Sequence, residues 1–485
     1  MTPFRDSTVI IIEVGRTEIR AGLGLHELLK TPSVELKARV GLPRDASSSS
    51  TDANEQRAYA VKDYILGTQL DEALASDPDM NIFWPFADGE VKDWTQAEAI
   101  WKYVLFNQLQ RRRVQNESPV LLSLPAGMTT RDSCERIGQI FFERFNVAGF
   151  GILDRPIGQI YAANTLSGIV VDIGYHVTDI TPIYEGFVVQ QARTSTKVGT
   201  RDCLDYLAFL LRSNSSVMSV LSPADAPLDP VELNKKLLEL VDFIWKEGYV
   251  KVPSDGETAG GEDEGVTDIA AVIVAGKERA LIESGMKKRA TAKASAAEQQ
   301  RAREMEAMDL ITVEFQGKSL TLGKERHRMC EPLFDPSLMR IVASNVDPTR
   351  GKAQLQWALQ DAVGHSISQA DVDHRPYIWN GIFVTGELTR HVKGIGVALQ
   401  SRVSPYIANP DLQTDVQARS AKILSLPEYF PEYRDTGNNF AAFLGASIVA
   451  KITFINEPQS KNFVSKADYS SRGPRSVIEL APTLF

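Results

Sequence analysis

Two short turns, each with an acidic residue two positions before a glycine, have residue types that suit phosphate chemistry. The first is Glu13-Val14-Gly15, after the β-branched run Thr8–Ile12, and the second is Asp172-Ile173-Gly174, after Ile169–Val171. A tight turn of this kind between two strands points backbone N–H groups and one carboxylate into the space above it. That geometry can hold a phosphate beside a bound cation. The simpler alternative is a plain hairpin turn with no ligand.

The elements that must position these turns are short buried strands and core-facing helices. A polar/apolar alternation over Val177–Ile183 predicts a strand after the second turn. Apolar residues at helical spacing predict helices over Asp93–Gln110 and Val231–Tyr249. Leu42–Gln56 is rich in Ser, Asp and Asn, which predicts a mobile loop. Lys251–Asp309 begins Gly- and acid-rich, which predicts disorder, and ends as a helix polar nearly all round, either solvated or partner-bound.

Composition limits the classes of function. The 485 residues are 43% apolar and 24% charged, as in soluble globular proteins. A net charge of −9 argues against broad non-specific DNA affinity, because neutralising phosphates needs a basic face. The three cysteines are far apart and lack zinc-site spacing, which indicates a reducing compartment. No signal-like N terminus is present, and no apolar run approaches the roughly 20 residues of a membrane span. We therefore expect an intracellular protein without a membrane partner or sequence-specific DNA binding.

Longer segments carry a resemblance to a known family. They are Pro182–Phe187, Gly199–Leu207, Ile82–Leu109, Leu320–Arg326 and the tail Phe463–Ile478. In order and spacing these segments resemble actin, and together with the two turns they span most of the chain. The chain is therefore identified as a member of the actin-related protein family.

The resemblance implies an α/β fold of the actin, Hsp70 and hexokinase type, with a duplicated ribonuclease H-like core, two lobes and four subdomains. The implied domains are an outer lobe at 1–162 with a small subdomain at about 36–80, an inner lobe at 163–420 with a subdomain at about 199–341 that includes the insertion 251–309, and a C-terminal return at 421–485. Phe443–Ala450 resembles a family connector and is predicted as a strand or turn that enters a helix.

The first turn departs from the family pattern of an acid, a Gly-Ser-Gly turn and a lysine. Here the acid is Glu13, followed by Gly15, Arg16, Thr17 and Arg20. Glycine permits positive φ and close backbone approach, whereas a β-branched threonine does not. Arg16 either binds phosphate through its charge or fills the site, and filling is the favoured interpretation.

Further departures affect hydrolysis. The family has a glutamine that positions the attacking water, and this chain has Arg155 at that position. Triphosphate hydrolysis needs a water held by an acceptor, and a guanidinium has no acceptor. In the second turn Asp172 and Gly174 persist, but Tyr175 and His176 replace an acid and a glycine. His176 has no neighbouring histidine or cysteine, so we predict no metal site.

The implied adenosine-binding segments are also altered. Ile244 and Trp245 replace a Lys-Glu pair, and Trp245 is predicted to occupy the base pocket. Glu387 replaces the second of two adjacent glycines after Gly386, and its carboxylate would repel a triphosphate. We predict no catalytic residue and no resident cofactor, with ATP binding as the alternative. The predicted remnant of the nucleotide pocket is Glu13, Gly15, Arg16, Arg20, Arg155, Asp172, Gly174, Tyr175, Trp245, Gly386 and Glu387.

The N-terminal segment Met1–Asp6 and the altered turns are similar to a fungal subclass found in SWI/SNF- and RSC-type chromatin remodellers. This resemblance implies a nuclear, non-catalytic structural subunit. It would bind a long helix of the motor ATPase beside a second actin-related protein. The alternatives are an ATP-binding actin-related protein of another complex, or a weak actin-type ATPase.

The family docks helical targets in an apolar cleft between its two inner subdomains. An amphipathic helix places its i, i+3/i+4 and i+7 side chains in such a groove. The positions that match the cleft are Tyr161, Ala162, Asn164, Leu166, Leu444, Ile448, Val449 and Ile452. The alternative for Ile448, Val449 and Ile452 is that they are ordinary core residues of a helix.

Overall fold

The structure, a computed structural model, describes residues 4–26, 29–43, 59–76, 80–223, 225, 227–253, 309–346, 356–407, 420–456 and 462–480. Most of the predicted loop Leu42–Gln56 and nearly all of the insertion 251–309 lie outside the described residues. The chain divides into two compact units: unit 1 comprises 1–200, 357–391 and 402–485, and unit 2 comprises 201–356 and 392–401. The lobe boundaries predicted after residues 162 and 420 stay a prediction. No helix in the described ranges is long and apolar enough to cross a membrane.

Unit 1 is built on two main β-sheets. The described strands of unit 1 are β1 (Ile10–Val14), β2 (Glu18–Leu23), β3 (Val34–Lys37), β4 (Val40–Leu42), β5 (Asn81–Phe83), β6 (Pro119–Leu124), β7 (Gly149–Asp154), β8 (Gly168–Ile173), β9 (Thr178–Tyr184), β10 (Phe187–Val188), β11 (Thr194–Thr196), β14 (Ile382–Thr385) and β15 (Val464–Ser465). The first sheet has six strands in the order β15-β7-β6-β1-β2-β3. The second has the order β10-β9-β8-β14, and β11 also pairs with β9. Apart from these sheets, β4 and β5 form a two-stranded sheet.

Each main sheet contains one of the two predicted hairpins next to a parallel strand. In the first sheet β1 pairs antiparallel with β2 and parallel with β6. In the second sheet β8 pairs antiparallel with β9 and parallel with β14. β1, β6 and β7 are buried along their whole length, which is why they are near-continuous apolar runs. The strand predictions for both turns are confirmed.

The helices of unit 1 cover the sheets. Asp93 caps the N terminus of the helix α2 (Trp94–Lys102), because its side chain accepts hydrogen bonds from the backbone N–H groups of Thr95 and Gln96. The predicted helix at 93–110 continues after α2 as a π-helical segment at Tyr103–Gln108. The helices are α1 (Gly67–Ser76), α2 (Trp94–Lys102), α3 (Arg131–Gln139), α4 (Arg155–Ala162), α10 (Leu359–Ser368), α11 (Arg375–Trp379), α12 (Leu388–His391), α14 (Ala441–Lys451), α15 (Lys466–Arg472) and α16 (Ser476–Leu480).

α4 and α14 pack against each other between the two main sheets. One core cluster joins Ile11 of β1 to Ile157 and Phe443, and another joins Val170 of β8 to Ile160 and Leu444. The prediction of a strand or turn over Phe443–Ala450 is wrong, because the whole segment lies inside α14. This helix is buried on nearly every side, so its sequence lacks the polar stripe by which an amphipathic helix is recognised.

The described part of unit 2 combines helices with a β-hairpin. Its elements are α6 (Ser215–Leu221), α7 (Pro230–Lys246), β12 (Ile311–Phe315), β13 (Lys318–Leu322), α8 (Glu331–Phe334) and α9 (Leu338–Val346), and the residues of α5 (Thr200–Leu211) and α13 (Ile395–Ile407) fall partly in each unit. Asp229 caps the N terminus of α7, because its side chain accepts a hydrogen bond from the backbone N–H of Val231. The helix predicted at 231–249 is thereby confirmed.

Candidate functional site

The β1–β2 hairpin places the first acid against an arginine of its own sheet. Glu13 lies opposite Arg20 in the register, and the Arg20 guanidinium donates to Glu13 Oε1 over 3.2 Å. The backbone N–H of Gly15 donates to the carbonyl oxygen of Glu18 over 2.7 Å. A Cβ on Gly15 would lie 2.9 Å from that oxygen, so the turn requires glycine. The Gly15 N–H is therefore used within the turn.

The β8–β9 hairpin has the same construction. The backbone N–H of Gly174 donates to the carbonyl oxygen of Val177 over 3.0 Å, and the Gly174 carbonyl accepts from Thr200 over 3.0 Å. Asp172 lies directly opposite Asp179 in the register. Two like charges facing each other across strands are destabilising unless each is neutralised.

Arg155 neutralises the first of these aspartates. It is the first residue of α4, and its Nε donates to Glu13 Oε1 over 3.0 Å while its Nη1 donates to Asp172 Oδ2. One turn further along α4, the Gln159 side-chain amide donates to the same Asp172 oxygen over 3.1 Å. Burial disfavours the charged guanidinium, but the carboxylates of Asp172 and Glu13 outweigh it and raise the pKa of Arg155. Arg155 thus carries a permanent charge between two acids on different sheets.

Arg16 neutralises the second aspartate. Its guanidinium makes two hydrogen bonds to Asp179, of 2.8 Å and 2.7 Å, and a third of 3.1 Å to the carbonyl oxygen of Ala87. Burial alone would lower the pKa of Arg16, but the hydrogen-bonded Asp179 raises it. Its side chain therefore occupies the space beside the second turn and is held there by these hydrogen bonds.

Arg20 links β2 to the start of α14. Its guanidinium donates to Glu18 over 2.8 Å and to the side-chain oxygen of Asn439 over 2.9 Å, and it lies over the ring of Phe440 at 4.9 Å. The three arginines of the predicted pocket, Arg16, Arg20 and Arg155, are therefore each bound to a carboxylate.

The remaining predicted pocket residues occupy different places. Gly386 follows β14 with φ of 113°, and a Cβ there would overlap the carbonyl oxygen of Ile173, so only glycine fits. Tyr175 and Glu387 line the same small cavity as Gly15 and Gly174. Trp245 belongs to unit 2, where it is buried in α7 with its indole N–H bonded to Asp242. Its predicted role in filling a base pocket stays a prediction.

The space left between the two turns is small. The cavity bordered by Gly15, Gly174, Gly386 and Asn439 has a volume of about 60 Å³. Small-molecule pockets measure about 300–1,000 Å³, so this cavity by itself is well below their size. A second cavity of about 250 Å³, between Arg16, Arg155, Pro125 and Arg193, shares part of its wall. Within the described ranges, no group of three or more His, Cys, Asp or Glu side chains is arranged to hold a metal ion.

The predicted partner cleft is partly surface and partly core. Leu166 is 57% exposed and Ile452 is 37% exposed, while Tyr161 and Ile448 are half-buried and Asn164 is exposed. The other three predicted cleft residues, Ala162, Leu444 and Val449, are buried in the core clusters around α4 and α14.

Four residues of the site were not predicted from the sequence: Glu18, Asp179, Asn439 and Gln159. Asp179 carried a usable signal, because a symmetric hairpin around the second turn places it opposite Asp172. Gln159 lies one helical turn after Arg155, a spacing that places both on one face. Asn439 had no local signal, because it reaches Arg20 across 419 positions of the chain.

Known proteins resemble this chain over most of its length. A sequence model of a family described as "Actin" matches residues 4–227 and 270–480. The chain is also similar to the "SWI/SNF and RSC complexes subunit arp9" of Schizosaccharomyces pombe, with 27% identity over 98% of this chain and 99% of that relative. The predicted resemblance, both to the family and to the fungal remodeller subclass, is confirmed by these two findings.

Proposed function

Because the chain belongs to the actin family, we propose that it is a non-catalytic, actin-related subunit of a nuclear chromatin-remodelling complex of the SWI/SNF or RSC type. The observation that carries the proposal is the similarity to a relative named as a subunit of these complexes, which extends over 98% of the chain. Similarity along the whole length favours conservation of the overall shape, which a structural subunit needs.

The geometry around Arg155 supports a non-catalytic role. Hydrolysis of a triphosphate requires a water held by an acceptor in line with the phosphate. Arg155 has only donors, and its donors already bind Glu13 and Asp172. An arginine can stabilise charge in a transition state, but one fixed between two carboxylates has that charge already compensated.

The geometry also disfavours a resident nucleotide. The two acids that could face a cation are paired with Arg155, and Asp179 is paired with Arg16. The backbone N–H groups of Gly15 and Gly174 close their own turns, and the cavity between these turns measures about 60 Å³, beside the second cavity of about 250 Å³. A phosphate would have to break these hydrogen bonds before it could form its own.

The proposed partner is a long amphipathic helix of the motor ATPase, with a second actin-related protein beside this chain. Leu166 and Ile452 are the exposed apolar side chains of the predicted cleft, and Tyr161 and Ile448 add partly covered surface. Apolar anchors of a helix would bury this surface on docking. Ala162, Leu444 and Val449 would support the floor from within the core.

The test is purification of the tagged, full-length chain from its own cells, followed by mass spectrometry of the recovered complex. We expect a remodeller motor ATPase and a second actin-related protein in near-equal amounts with the chain. Recovery of the chain alone, or in a complex without a motor ATPase, would contradict the proposal.

A further inference from the structure

The ion pairs of Arg155 join three elements that come from distant parts of unit 1. Nε bonds Glu13 of β1 over 3.0 Å, Nη1 bonds Asp172 of β8, and the guanidinium itself projects from the first residue of α4. Pro156, at the start of the helix, suits the first turn of α4 because it needs no backbone donor there. The charge of Arg155 thus sits at the meeting point of the two sheets.

The Arg155 guanidinium is bound by two carboxylates, and Glu13 also accepts from Arg20. Glu13 is 1% exposed, and its second oxygen, Oε2, has no hydrogen-bond partner among the described residues. The Gln159 side chain is fully buried, its nitrogen bonds Asp172, and its oxygen Oε1 likewise lacks a partner in the described part of the chain. A buried carboxylate (Glu13), a partly buried carboxylate (Asp172) and a carboxamide oxygen are of the ligand types that Ca²⁺ and Mg²⁺ take in proteins.

We propose that Arg155 is an internal cation, whose guanidinium takes the place of a divalent metal ion between Glu13 and Asp172 and makes the pocket independent of metal and nucleotide. The oxygen set around it is therefore a latent divalent-cation site, closed by one side chain. This inference does not depend on membership in a remodelling complex.

The stability of the folded protein should therefore depend on a positive charge at position 155. Without a positive charge at position 155, the partly buried Asp172 loses its arginine and the buried Glu13 keeps Arg20 alone, which is unfavourable. A divalent cation can restore that compensation if the carboxylates and the Gln159 carboxamide turn toward it. Arg16 provides the matched comparison, because among the described residues its guanidinium hydrogen-bonds to a single carboxylate, that of Asp179.

The experiment compares the wild-type protein with Arg155→Gln and Arg16→Gln, without nucleotide and after removal of metal ions. Ca²⁺ is the probe, because its coordination tolerates irregular oxygen sites better than that of Mg²⁺. The melting temperature of the wild type should not change with millimolar Ca²⁺. Arg155→Gln should melt about 5 °C lower and recover most of that loss in a saturable manner as Ca²⁺ is added. Arg16→Gln should lose stability without a comparable response to Ca²⁺.

A double variant, Glu13→Gln with Arg155→Gln, keeps the net charge of the wild type and removes one of the two carboxylates. It should be more stable than Arg155→Gln in the absence of Ca²⁺ and should show little response to Ca²⁺. If Arg155→Gln does not fold, folding of the double variant supports the proposal, and failure of both overturns it. The proposal is also overturned if Ca²⁺ stabilises the wild type, if Arg155→Gln is as stable as the wild type, or if both single variants respond equally to Ca²⁺.

Discussion

Arg16 and Asp179, which are 163 positions apart in the chain, form a two-bond ion pair of 2.8 Å and 2.7 Å. Asp179 faces Asp172 across the β8–β9 hairpin, and Asp172 is bound by Arg155. Two aspartates that would repel each other are therefore neutralised by two different arginines, one from the β1–β2 turn and one from α4. This arrangement connects the hairpins of the two sheets through side chains of the protein itself.

We expect Arg16 and Asp179 to be energetically coupled. A double-mutant cycle with Arg16→Gln and Asp179→Asn should give a coupling free energy of unfolding of about 1–2 kcal/mol, because the pair is partly buried and doubly hydrogen-bonded. Denaturant unfolding of the four proteins measures this value. The coupling should fall at high salt, since the pair is partly exposed. Strictly additive effects of the two substitutions would show that the pair contributes nothing.

Asp154, the last residue of β7, should make stability depend on pH. Burial raises the pKa of its carboxyl group to about 6, although the Thr129 hydroxyl, which donates over 2.8 Å, and the charge of Arg193 oppose this rise. Because the folded-state pKa lies above the unfolded value, the contribution is complete below the unfolded pKa and is lost as pH rises through about 6. Asp154→Asn should therefore be more stable than the wild type at pH 8, by up to about 3 kcal/mol.

The control for this prediction lies in the same titration. Near pH 4 the wild-type carboxyl is protonated in the folded state, so the advantage of Asp154→Asn should shrink toward zero. Asparagine also keeps the oxygen that accepts from Thr129 and the ability to precede a helix. A stability difference that is the same at pH 4 and pH 8 would contradict the assignment.

The contact between α4 and α14 should tolerate no side chain at Gly445. A Cβ there would overlap the carbonyl oxygen of Gly158, whereas a Cβ on Gly158 would lie 3.3 Å from its nearest neighbours. Gly445→Ala should lower the free energy of unfolding by about 3 kcal/mol or more, and Gly158→Ala should cost less. Thermal or denaturant unfolding measures both. Equal stability of the two variants would mean that the helices separate easily.

Mg-ATP should not stabilise the wild-type protein. A ligand present at 100 times its dissociation constant stabilises the folded state by about 2.7 kcal/mol, which shifts the melting temperature by several degrees. We expect a change below about 1 °C at millimolar Mg-ATP, with actin measured in parallel as a positive control. A large, saturable shift would show that Arg16, Arg20 and Asp172 still form a phosphate site.

Binding of the proposed motor helix should depend on the exposed side of the cleft. Leu166→Asp and Ile448→Asp should weaken co-purification at least about tenfold, because each places an unpaired charge in an apolar contact. Val114→Asp is the matched control, since Val114 is 89% exposed in a separate 3₁₀-helical turn. Ile448 is half-buried, so its variant also needs a melting curve. Unchanged recovery of the motor subunit with both variants would exclude this docking surface.

Much of the local architecture could be predicted from the sequence. The strands on both sides of Glu13-Val14-Gly15 and Asp172-Ile173-Gly174, and helix α7, follow from short-range periodicity, which depends only on neighbouring residues. The family followed from motifs in a fixed order along most of the chain. Helix α14 was missed because burial on nearly every side removes the polar face that periodicity depends on.

The sequence by itself determined that arginines and carboxylates are concentrated at two turns, and that Arg155 cannot orient a water. Only the tertiary structure decided which charges meet. Arg16 reaches Asp179, Arg155 reaches both Glu13 and Asp172, and Arg20 reaches Asn439. These partners lie up to 419 positions apart. They come together because α4 and α14 pack against β1 in one core cluster and against β8 in another. No short-range pattern encodes that packing.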